Sequence, residues 1–596
     1  MKNHFYIFFV SLVVAAAVFP GCGDSRETGT RPNIILISID TLRQDHVSSY
    51  GYPKPTTPTL DKLAAGGVLF QNCVSRSSWT LPAHMSVMTG LPSSMHKVEE
   101  RRMQLPKERV TLAEILEKNN YLNGGFVTIP LLSKHYGFAR GFDDYEVMTD
   151  KRAGEVTKQA LAWLSDAALK NRPFFLFLHY FDVHWPYGPP IEYLRMFGLE
   201  KEDKKYGEWE FLKKFSYPNH DMAPGIKQKI IALYDSEIRY TDAQIKKLID
   251  FLKNQKKLDN TIIVIFSDHG EEFKEHGGFG HGHSLYSEVI NVPLIMHYPP
   301  GIRPNTRVSQ TVVTSDIPIT LLELANIKPP KQFSLDSVNL IELIDMDKRT
   351  KKKARHGGRS IITESTERGP KRFAVIKENY KYISGYVFHP YRLKKSDKRK
   401  WLKVPEELFN CLRDPGEGEN VLLNNNMATK VELPLYSKLK TELKRYIGQH
   451  IQALQLCFVP AAGSKDYYEG FIQFDGSLFD EPFVLNFETG DRILPFGKTN
   501  KYDFSLNLDK QGDRKEIFFT LSGKIKRVTL SIKRDKETYY MKTVDIPRPG
   551  QEIKLMGDEI NGGCILKRKI SRVKMNLKKV ELSKEQINHL KALGYL

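Results

Sequence analysis

Acidic and histidine residues follow two apolar runs of the sequence, at the points where buried strands would end. Asp40 follows residues 34–39, and Asp268 and His269 follow residues 262–266. Ligands of open α/β sheets bind beyond the carboxyl ends of the strands, so these side chains are expected at one sheet edge. Asp and His supply donors that suit Zn²⁺ or Mn²⁺. A lone Asp after a strand is more often a helix cap, but several such positions in one domain predict a metal site.

A third apolar run, residues 174–179, ends in the same way. It finishes at His179, and Asp182 and His184 come shortly after it. The edge argument therefore predicts that side chains from this run face the same site.

A hydroxyl group is the candidate nucleophile. Thr80 begins Thr80-Leu81-Pro82-Ala83-His84, and Pro favours the first turn of a helix. Thr80 would then lie at a helix amino end, where N–H groups and the dipole favour an anion. A hydroxyl there is placed to attack phosphorus, because the developing oxyanion is already solvated. The alternative is that Thr80 only caps the helix.

The elements that must position these residues alternate between apolar runs and amphipathic stretches. Runs rich in Ile, Val, Leu or Phe predict strands at 34–39, 68–73, 125–129, 174–179, 262–266 and 293–296. Helices are expected at 110–119, 154–168 and 227–255. This order predicts an α/β domain over residues 31–345, with a doubly wound, mostly parallel sheet.

The pattern changes in the second half of the chain. Short antiparallel strands are expected at 373–383 and 406–409, with a helix at 431–447, in a small subdomain of residues 346–450. Alternation at 518–521 and 528–533 predicts an accessory β-sandwich-like domain over residues 451–575. Residues 576–596 are expected to form a helical tail.

Composition and charge limit the partners. The 596 residues carry 89 Lys+Arg against 70 Asp+Glu, a formal net charge of +19. This excess suits an anionic substrate or an anionic membrane surface, although basic faces are often only solvated. A basic run at 348–355 has no nucleic-acid-binding motif beside it, so we expect no nucleic-acid partner.

The first residues predict that the protein is exported from the cytoplasm. Lys2 precedes an apolar stretch at 5–19, which ends in Phe19-Pro20-Gly21-Cys22. Residues 1–22 resemble a bacterial lipoprotein signal, which implies lipidation of Cys22 and anchoring to a bacterial membrane, facing the periplasm or the exterior. The alternative is an ordinary cleaved signal. The other four cysteines are scattered without a CxxC pair, so no zinc cluster is indicated.

The ordered series of motifs resembles the sulfatase and alkaline-phosphatase superfamily over about residues 32–419. It comprises Ser38-Ile39-Asp40-Thr41-Leu42-Arg43, the segment 80–90, the segment 177–187, Ser267-Asp268-His269-Gly270-Glu271, Gly280-His281-Gly282 and Asp414-Pro415-Gly416-Glu417. The resemblance implies an alkaline-phosphatase-like fold and a metal-dependent enzyme that acts on anionic esters.

The resemblance also implies roles for individual residues. Asp40, Thr80, Asp268 and His269 match the ligands of the metal that activates the nucleophile. His281 and His184 match two catalytic, substrate-facing histidines of phosphoethanolamine transferases. The candidates for a second metal or for substrate contact are Asp182, His283 and His84.

Two positions depart from the sulfatase pattern. Sulfatases carry Cys or Ser followed by x-Pro-x-Arg and oxidise the first residue to formylglycine, whereas Thr80 and His84 stand at those two places. Thr41 stands where sulfatases place another metal-binding Asp. Both departures favour phosphomonoester or phosphodiester chemistry over sulfate-ester hydrolysis.

The sequence therefore predicts a hydrolase that acts on an anionic ester through a covalent Thr80 intermediate. Zn²⁺ or Mn²⁺ is the expected cofactor, with Ca²⁺ or Mg²⁺ as alternatives. Two rival functions stay open: a transferase of a phospho-group onto an envelope lipid or glycan, and a non-catalytic envelope glycan-binding protein.

Overall fold

The computed structural model describes most of the catalytic region and parts of the rest. The described residues are 31–166, 172–216, 220–334, 336–344, 359–365, 367, 371–384, 386–388, 402–404, 406–423, 432–450, 453–461, 466–474, 483–485, 492–495, 501–508, 515–520, 526–534, 538–547, 551–558 and 561–568. The predicted signal with Cys22, the basic run at 348–355 and the predicted helical tail lie outside them.

A mixed sheet forms the centre of the first region. Its strands are β1 (Asn33–Ile39), β2 (Val68–Val74), β3 (Leu122–Val127), β4 (Asp144–Val147), β5 (Phe174–Tyr180), β6 (Thr261–Phe266), β9 (Asn291–Val292), β10 (Leu294–His297) and β11 (Thr306–Val313). Between β6 and β9 the chain forms a separate two-stranded ribbon, β7 (Glu272–Phe273) and β8 (Phe279–Gly280). The order in the sheet is β11-β2-β10-β6-β1-β5-β3-β4, and β9 also pairs with β2.

Most neighbouring strands are parallel, as the fold class predicts. The exceptions are β10, which runs antiparallel to β2 and β6, and β9, which runs antiparallel to β2. The alternating side chains of β1 belong to two separate cores: Ile34 and Leu36 lie in one, and Ile35 and Ile37 in the other. Because both faces of the sheet are covered, the strands are apolar throughout.

Helices pack around this sheet, and one more helix, α12 (Glu432–His450), belongs to the second region. They are α1 (Pro58–Ala65), α2 (Thr80–Thr89), α3 (Ser93–His96), α4 (Leu112–Lys118), α5 (Ala153–Leu164), α6 (Ile191–Met196), α7 (Trp209–Leu212), α8 (Pro224–Asn254), α9 (Ser287–Ile290), α10 (Ile317–Leu324), α11 (Ile341–Ile344) and α12 (Glu432–His450). Within the described residues, no helix combines the length and the hydrophobicity needed to cross a membrane.

The strand predicted at 125–129 lies closer to the amino end, at Leu122–Val127, and contains two glycines in its middle. A Cβ atom on Gly124 would lie 2.7 Å from the Trp163 ring, and one on Gly125 would lie 2.5 Å from the Tyr145 ring. These glycines therefore allow two aromatic rings to pack directly on the strand backbone.

The small subdomain contains the strands β12 (Ile361–Ser365), β13 (Arg372–Lys377), β14 (Tyr380–Ile383), β15 (Tyr386–Phe388), β16 (Leu402–Val404) and β17 (Glu407–Asn410). Strands β12-β13-β14-β17 form an antiparallel sheet, on which Leu439 and Leu443 of α12 pack. The segment 373–383, expected in short antiparallel strands, forms the hairpin of β13 and β14, and the chain turns at Glu378 with φ +55°.

The accessory region contains β18 (Ala453–Ala461), β19 (Asp466–Phe474), β20 (Phe483–Leu485), β21 (Arg492–Pro495), β22 (Lys501–Leu508), β23 (Lys515–Thr520), β24 (Arg527–Arg534), β25 (Thr538–Asp545), β26 (Glu552–Asp558) and β27 (Asn561–Arg568). They form two antiparallel sheets, β20-β23-β18-β27-β26 and β21-β22-β19-β24-β25. Leu456 and Ile517 of one sheet share a core with Phe504 and Leu530 of the other.

Candidate active site

Three adjacent strands bring the predicted acids and histidines together. Strands β6, β1 and β5 are neighbours in the sheet, and Ser38 of β1 is in register with both Phe266 and His179. Asp40, Asp268 and His269 leave the carboxyl ends of β1 and β6, and each of the three is fully buried. One ligand atom from each of these three residues lies within 4.8 Å of the other two.

Each of the two carboxylates has one oxygen occupied by donors and one without a hydrogen bond. Asp40 Oδ2 accepts from His179 Nε2 at 3.0 Å. Asp268 Oδ1 accepts from the backbone N–H groups of Thr41 at 3.3 Å and His269 at 3.0 Å. Asp40 Oδ1 and Asp268 Oδ2 are buried and accept none. An unsatisfied buried oxygen is costly, so two of them beside His269 fit a divalent cation.

The protonation of the site without a cation supports this assignment. Burial raises the pKa of Asp40 to about 7, although His269 acts to lower it. The pKa of Asp268 is raised by its burial and by Asp40. Burial also lowers the pKa of His84 and of His179 to about 4, so both imidazoles are neutral. A bound cation would therefore stabilise both carboxylates in the ionised form.

Thr80 lies beside these groups at the start of α2. Its Oγ1 is 3.2 Å from His269 Nε2. His269 Nδ1 contacts the Gly270 carbonyl at 3.0 Å, so Nδ1 carries the proton and Nε2 accepts from the Thr80 hydroxyl. The N-cap residue is Trp79, and α2 has no side-chain cap. The alternative that Thr80 only caps the helix is therefore wrong.

His281 and His184 lie on the other side of His269. The ring centroids of His269 and His281 are 4.3 Å apart, and those of His281 and His184 are 4.9 Å apart. Glu271 Oε1 accepts from His281 Nδ1 at 2.8 Å, which fixes the ring and its tautomer. Phe181 stacks on the His184 ring at 4.3 Å, so that imidazole is also held in place.

Of the three further candidates, Asp182 and His283 contact residues outside the ligand group, whereas His84 lies against it, with Nδ1 3.3 Å from Asp268 Oδ2. Asp182 accepts from Arg152 Nε at 2.8 Å and from the Ala153 N–H at 2.7 Å, so it anchors the start of α5. His84 contacts the Thr80 carbonyl at 2.9 Å and Ser38 Oγ at 2.8 Å, which places it behind the nucleophile. His283 contacts Glu272 at 2.8 Å. None of the three belongs to the group of metal-ligating atoms found among the described residues.

Two family models match consecutive parts of the chain. The model described as "Sulfatase" covers residues 32–327, and the model described as "N-sulphoglucosamine sulphohydrolase, C-terminal" covers residues 274–446. The chain belongs to the sulfatase and alkaline-phosphatase superfamily. It is accordingly an enzyme, a hydrolase of ester bonds, and the superfamily is metal-dependent.

Curated relatives and solved structures agree with this membership. An arylsulfatase K of Gallus gallus is 24% identical, over 69% of this chain and 83% of its own length, and a sulfatase of Formosa agariphila is 23% identical, over 67% and 85%. A protein solved with its substrate D-glucosamine-2-N,6-O-disulfate has a TM-score of 0.57 and 19% identity, covering 70% of this chain and 98% of its own. A phosphonate monoester hydrolase of Agrobacterium radiobacter has a TM-score of 0.55 and 19% identity, covering 70% and 96%. The two structures show the shared fold.

Two residues of the site have roles that the sequence did not indicate, although one of them, His179, ends a run that was predicted to face the site. His179 holds Asp40 through Nε2, while its Nδ1 lies 2.9 Å from Thr128 Oγ1. Glu271 holds His281. Both residues lie next to predicted motifs in the sequence, but a side chain that orients another through a distant contact leaves no local signal.

Proposed function

We propose that this enzyme hydrolyses a singly charged ester on an anionic glycan, with a sulfate ester as the leading candidate and Thr80 Oγ1 as the nucleophile. The observation that carries the proposal is the Thr80 hydroxyl, 3.2 Å from His269 Nε2, beside two carboxylate oxygens that accept no hydrogen bond. This arrangement places a metal-binding group and an attacking oxygen in one buried pocket.

Asp40, Asp268 and His269 would hold one divalent ion, with Thr80 next to it. When bound, the ion would neutralise charge on the ester and lower the pKa of the Thr80 hydroxyl. Because one ligand is an imidazole, Zn²⁺ or Mn²⁺ is favoured over Ca²⁺ or Mg²⁺, which prefer oxygen donors.

The charge balance favours a substrate with one negative charge. The carboxylates of Asp40 and Asp268 together carry two negative charges, equal to the charge of one divalent ion, and an ionised Thr80 adds a third. These groups and the ion together carry one net negative charge, which would repel a phosphate monoester dianion more strongly than a monoanion. Sulfate esters, phosphodiesters and phosphonate monoesters each carry a single negative charge, which fits better.

The relatives favour sulfate among these esters. The curated proteins named above are sulfatases, which weighs against the phosphoester preference predicted from Thr80 and His84. A phosphonate monoester or phosphodiester remains the second candidate, since Thr80 cannot become formylglycine and the fold is shared with phosphonate monoester hydrolases. A solved neighbour has a sulfated glucosamine as its substrate, which supports a glycan as the carrier of the ester.

The proposed reaction has two displacements at sulfur. The Thr80 hydroxyl loses its proton to solvent, since the lone pair of His269 Nε2 would be used by the ion, and Oγ1 attacks sulfur as the bond to the leaving alcohol breaks. His281 or His184 supplies the proton that the departing alkoxide takes up. Water then attacks the sulfur of the Thr80 ester, which releases sulfate and restores the hydroxyl.

Four 4-nitrophenyl reporters test the substrate class: a sulfate, a phenylphosphonate, a phosphodiester and a phosphate monoester, each assayed with Zn²⁺, Mn²⁺, Ca²⁺ and Mg²⁺. We expect the sulfate to give the highest kcat/KM and the phosphate monoester the lowest. Fastest turnover of the phosphate monoester would overturn the charge argument.

Variants of α2 test the nucleophile. Thr80→Ala should reduce turnover to background, whereas Thr80→Ser should retain part of it because the hydroxyl remains. Thr89→Ala is the matched control, since the Thr89 hydroxyl donates to the Met85 carbonyl on the same helix. Full activity in Thr80→Ala, or acid-quenched enzyme labelled on another residue, would refute Thr80 as the nucleophile.

We also propose that the enzyme is lipid-anchored through Cys22 in a bacterial cell envelope, on the strength of Phe19-Pro20-Gly21-Cys22 after an apolar stretch. Cys22→Ser should move the protein from the membrane fraction to the soluble one. Unchanged fractionation would count against the anchor.

A further inference from the structure

A residue of the small subdomain reaches the loop that carries His281. Gly282 follows His281, its N–H donates to the Ser78 carbonyl at 2.9 Å, and its φ is +78°. A Cβ atom on Gly282 would lie 2.7 Å from Glu367 Cγ. The side chain of Glu367 therefore packs directly against the backbone next to His281.

Glu367 is paired with an arginine from the catalytic domain. Arg101 Nη2 makes an ion pair with Glu367 Oε1, and the two side chains are only 15% and 7% exposed. The Arg101 guanidinium carbon also lies 5.8 Å from the centroid of the Trp79 ring. Since Trp79 immediately precedes Thr80, the ion pair lies beside the amino end of α2.

The Arg101 backbone and the strand that precedes Glu367 in the sequence are both anchored by hydrogen bonds. The Tyr136 hydroxyl donates to the Arg101 carbonyl at 2.9 Å. On the other side, β12 is tied to the segment before the nucleophile, because the Glu364 N–H donates to the Arg76 carbonyl at 3.1 Å. The pair thus connects two anchored segments near the nucleophile and His281.

We propose that Arg101 is a specificity-determining residue, which binds a second anionic group on the sugar that carries the ester. This inference rests on the proposed function. A guanidinium offers five N–H donors in a planar fork that suits sulfate and carboxylate groups alike. Glu367 holds Arg101 in place when no substrate is bound, and the second anion of the substrate replaces Glu367 as its partner.

The ion pair also sets the selectivity. Arg101 without a partner anion would be a poorly hydrated, largely buried charge, which is unfavourable. A sugar that lacks the second anion leaves the pair intact and gains nothing from Arg101. A sugar that carries it gains a charge-assisted hydrogen bond but must displace Glu367.

Calorimetry on the full-length, metal-loaded Thr80→Ala protein tests the inference without turnover. The probes are D-glucosamine-2-N,6-O-disulfate and N-acetyl-D-glucosamine 6-O-sulfate, which carry two anionic groups and one anionic group respectively, and neither has a free amine. We expect the disulfate to bind about 10-fold more tightly. Adding Arg101→Gln should make the two affinities similar, whereas adding Glu367→Gln should increase the preference for the disulfate.

The control is Arg140→Gln, which removes the same charge from an arginine paired with Glu114 and should leave the preference unchanged. A purely structural role of the pair predicts that Glu367→Gln weakens both sugars alike, which would overturn the proposal. Equal affinity for the two sugars in the Thr80→Ala parent, or binding of neither, would overturn it too. Because no turnover is measured, failure of Thr80 as the nucleophile would appear only in the reporter assays.

Discussion

Two pairs of buried carboxylates in the catalytic domain have different partners. Asp40 and Asp268 each keep one oxygen that accepts no hydrogen bond. Asp182 and Glu237 instead share Arg152, and backbone N–H groups add to them, from Ala153 to Asp182 at 2.7 Å and from Gly188 to Glu237 at 2.8 Å. Burial raises the pKa of acids in both pairs, but among the described residues only the second pair has an arginine beside it to offset this.

The difference separates a ligand site from a structural one. A buried acid that is supplied with an arginine and N–H donors stabilises the fold and leaves no oxygen for an ion. A buried acid whose oxygen accepts no hydrogen bond implies a cation from outside. Asp40 and Asp182, which follow the neighbouring strands β1 and β5, thus serve two purposes, and the supply of donors distinguishes them.

The largest expected effect is a loss of activity and of metal binding that occurs on substitution in the first pair of carboxylates but not in the second. Asp268→Asn should lower kcat/KM by roughly 10³-fold and abolish the rise in melting temperature caused by Zn²⁺ or Mn²⁺, because it removes a ligand charge. Asp182→Asn, the matched control, should keep the metal-induced rise. A metal-induced rise that persists in Asp268→Asn would show that the ion binds elsewhere.

The second prediction concerns pH. The folded-state pKa of Asp40 is raised from 3.8 to about 7, so its carboxyl binds a proton more tightly in the folded than in the unfolded chain. The stability of the metal-free protein should therefore fall as pH rises from about 4 to about 7, by at most about 4 kcal/mol.

Excess metal should remove this part of the pH dependence, because the ion stabilises the ionised form of Asp40. Urea unfolding at several pH values, with a chelator and with Zn²⁺, measures both curves. Asp40→Asn provides the control, since it removes the titrating group. Identical pH profiles with and without metal in the unsubstituted protein would contradict the assignment.

The third prediction tests the residue behind Asp40. His179→Gln should weaken metal affinity about 10- to 100-fold, since His179 Nε2 fixes the Asp40 carboxylate. His46→Gln is the matched control, because His46 is also buried and contacts a buried Asp235 at 2.8 Å, outside the metal-ligating group. Equal loss of metal affinity in both variants would mean that the effect comes from general destabilisation.

The sequence predicted this site better than it predicted the contacts around it. Strands such as residues 262–266 can be recognised in the sequence, because strands covered on both faces are apolar throughout. The convergence of Asp40 with Asp268 and His269 followed from the rule on the carboxyl ends of strands. The antiparallel direction of β10 could not be predicted from the sequence, because a short apolar strand carries no local signal of its orientation.

The misassigned residue, Asp182, shows the same limit. Its partner Arg152 is 30 residues earlier in the chain, and Glu237 is on α8, so only the folded structure reveals that the acid is already compensated. The role of His179 depends likewise on a contact with Asp40, 139 residues away. Residue type and position after a strand predicted where the site is, but not which acids have donors.

The smallest expected effect concerns Asp182 and Glu237, the pair of carboxylates that shares Arg152. Glu237→Gln keeps an oxygen that can accept from the Gly188 N–H and from Arg152, and it leaves Asp182 to balance the arginine charge. We therefore expect a loss of only about 1 kcal/mol in the free energy of unfolding, with metal affinity unchanged. Arg152→Met should cost more, about 3–5 kcal/mol, because it leaves two buried carboxylates without a cation. Urea unfolding and metal titration of both variants measure these values. If either variant gained metal affinity, the Asp182 and Glu237 pair would be a second ion site that Arg152 normally fills, and the distinction between the two acidic pairs would be one of degree.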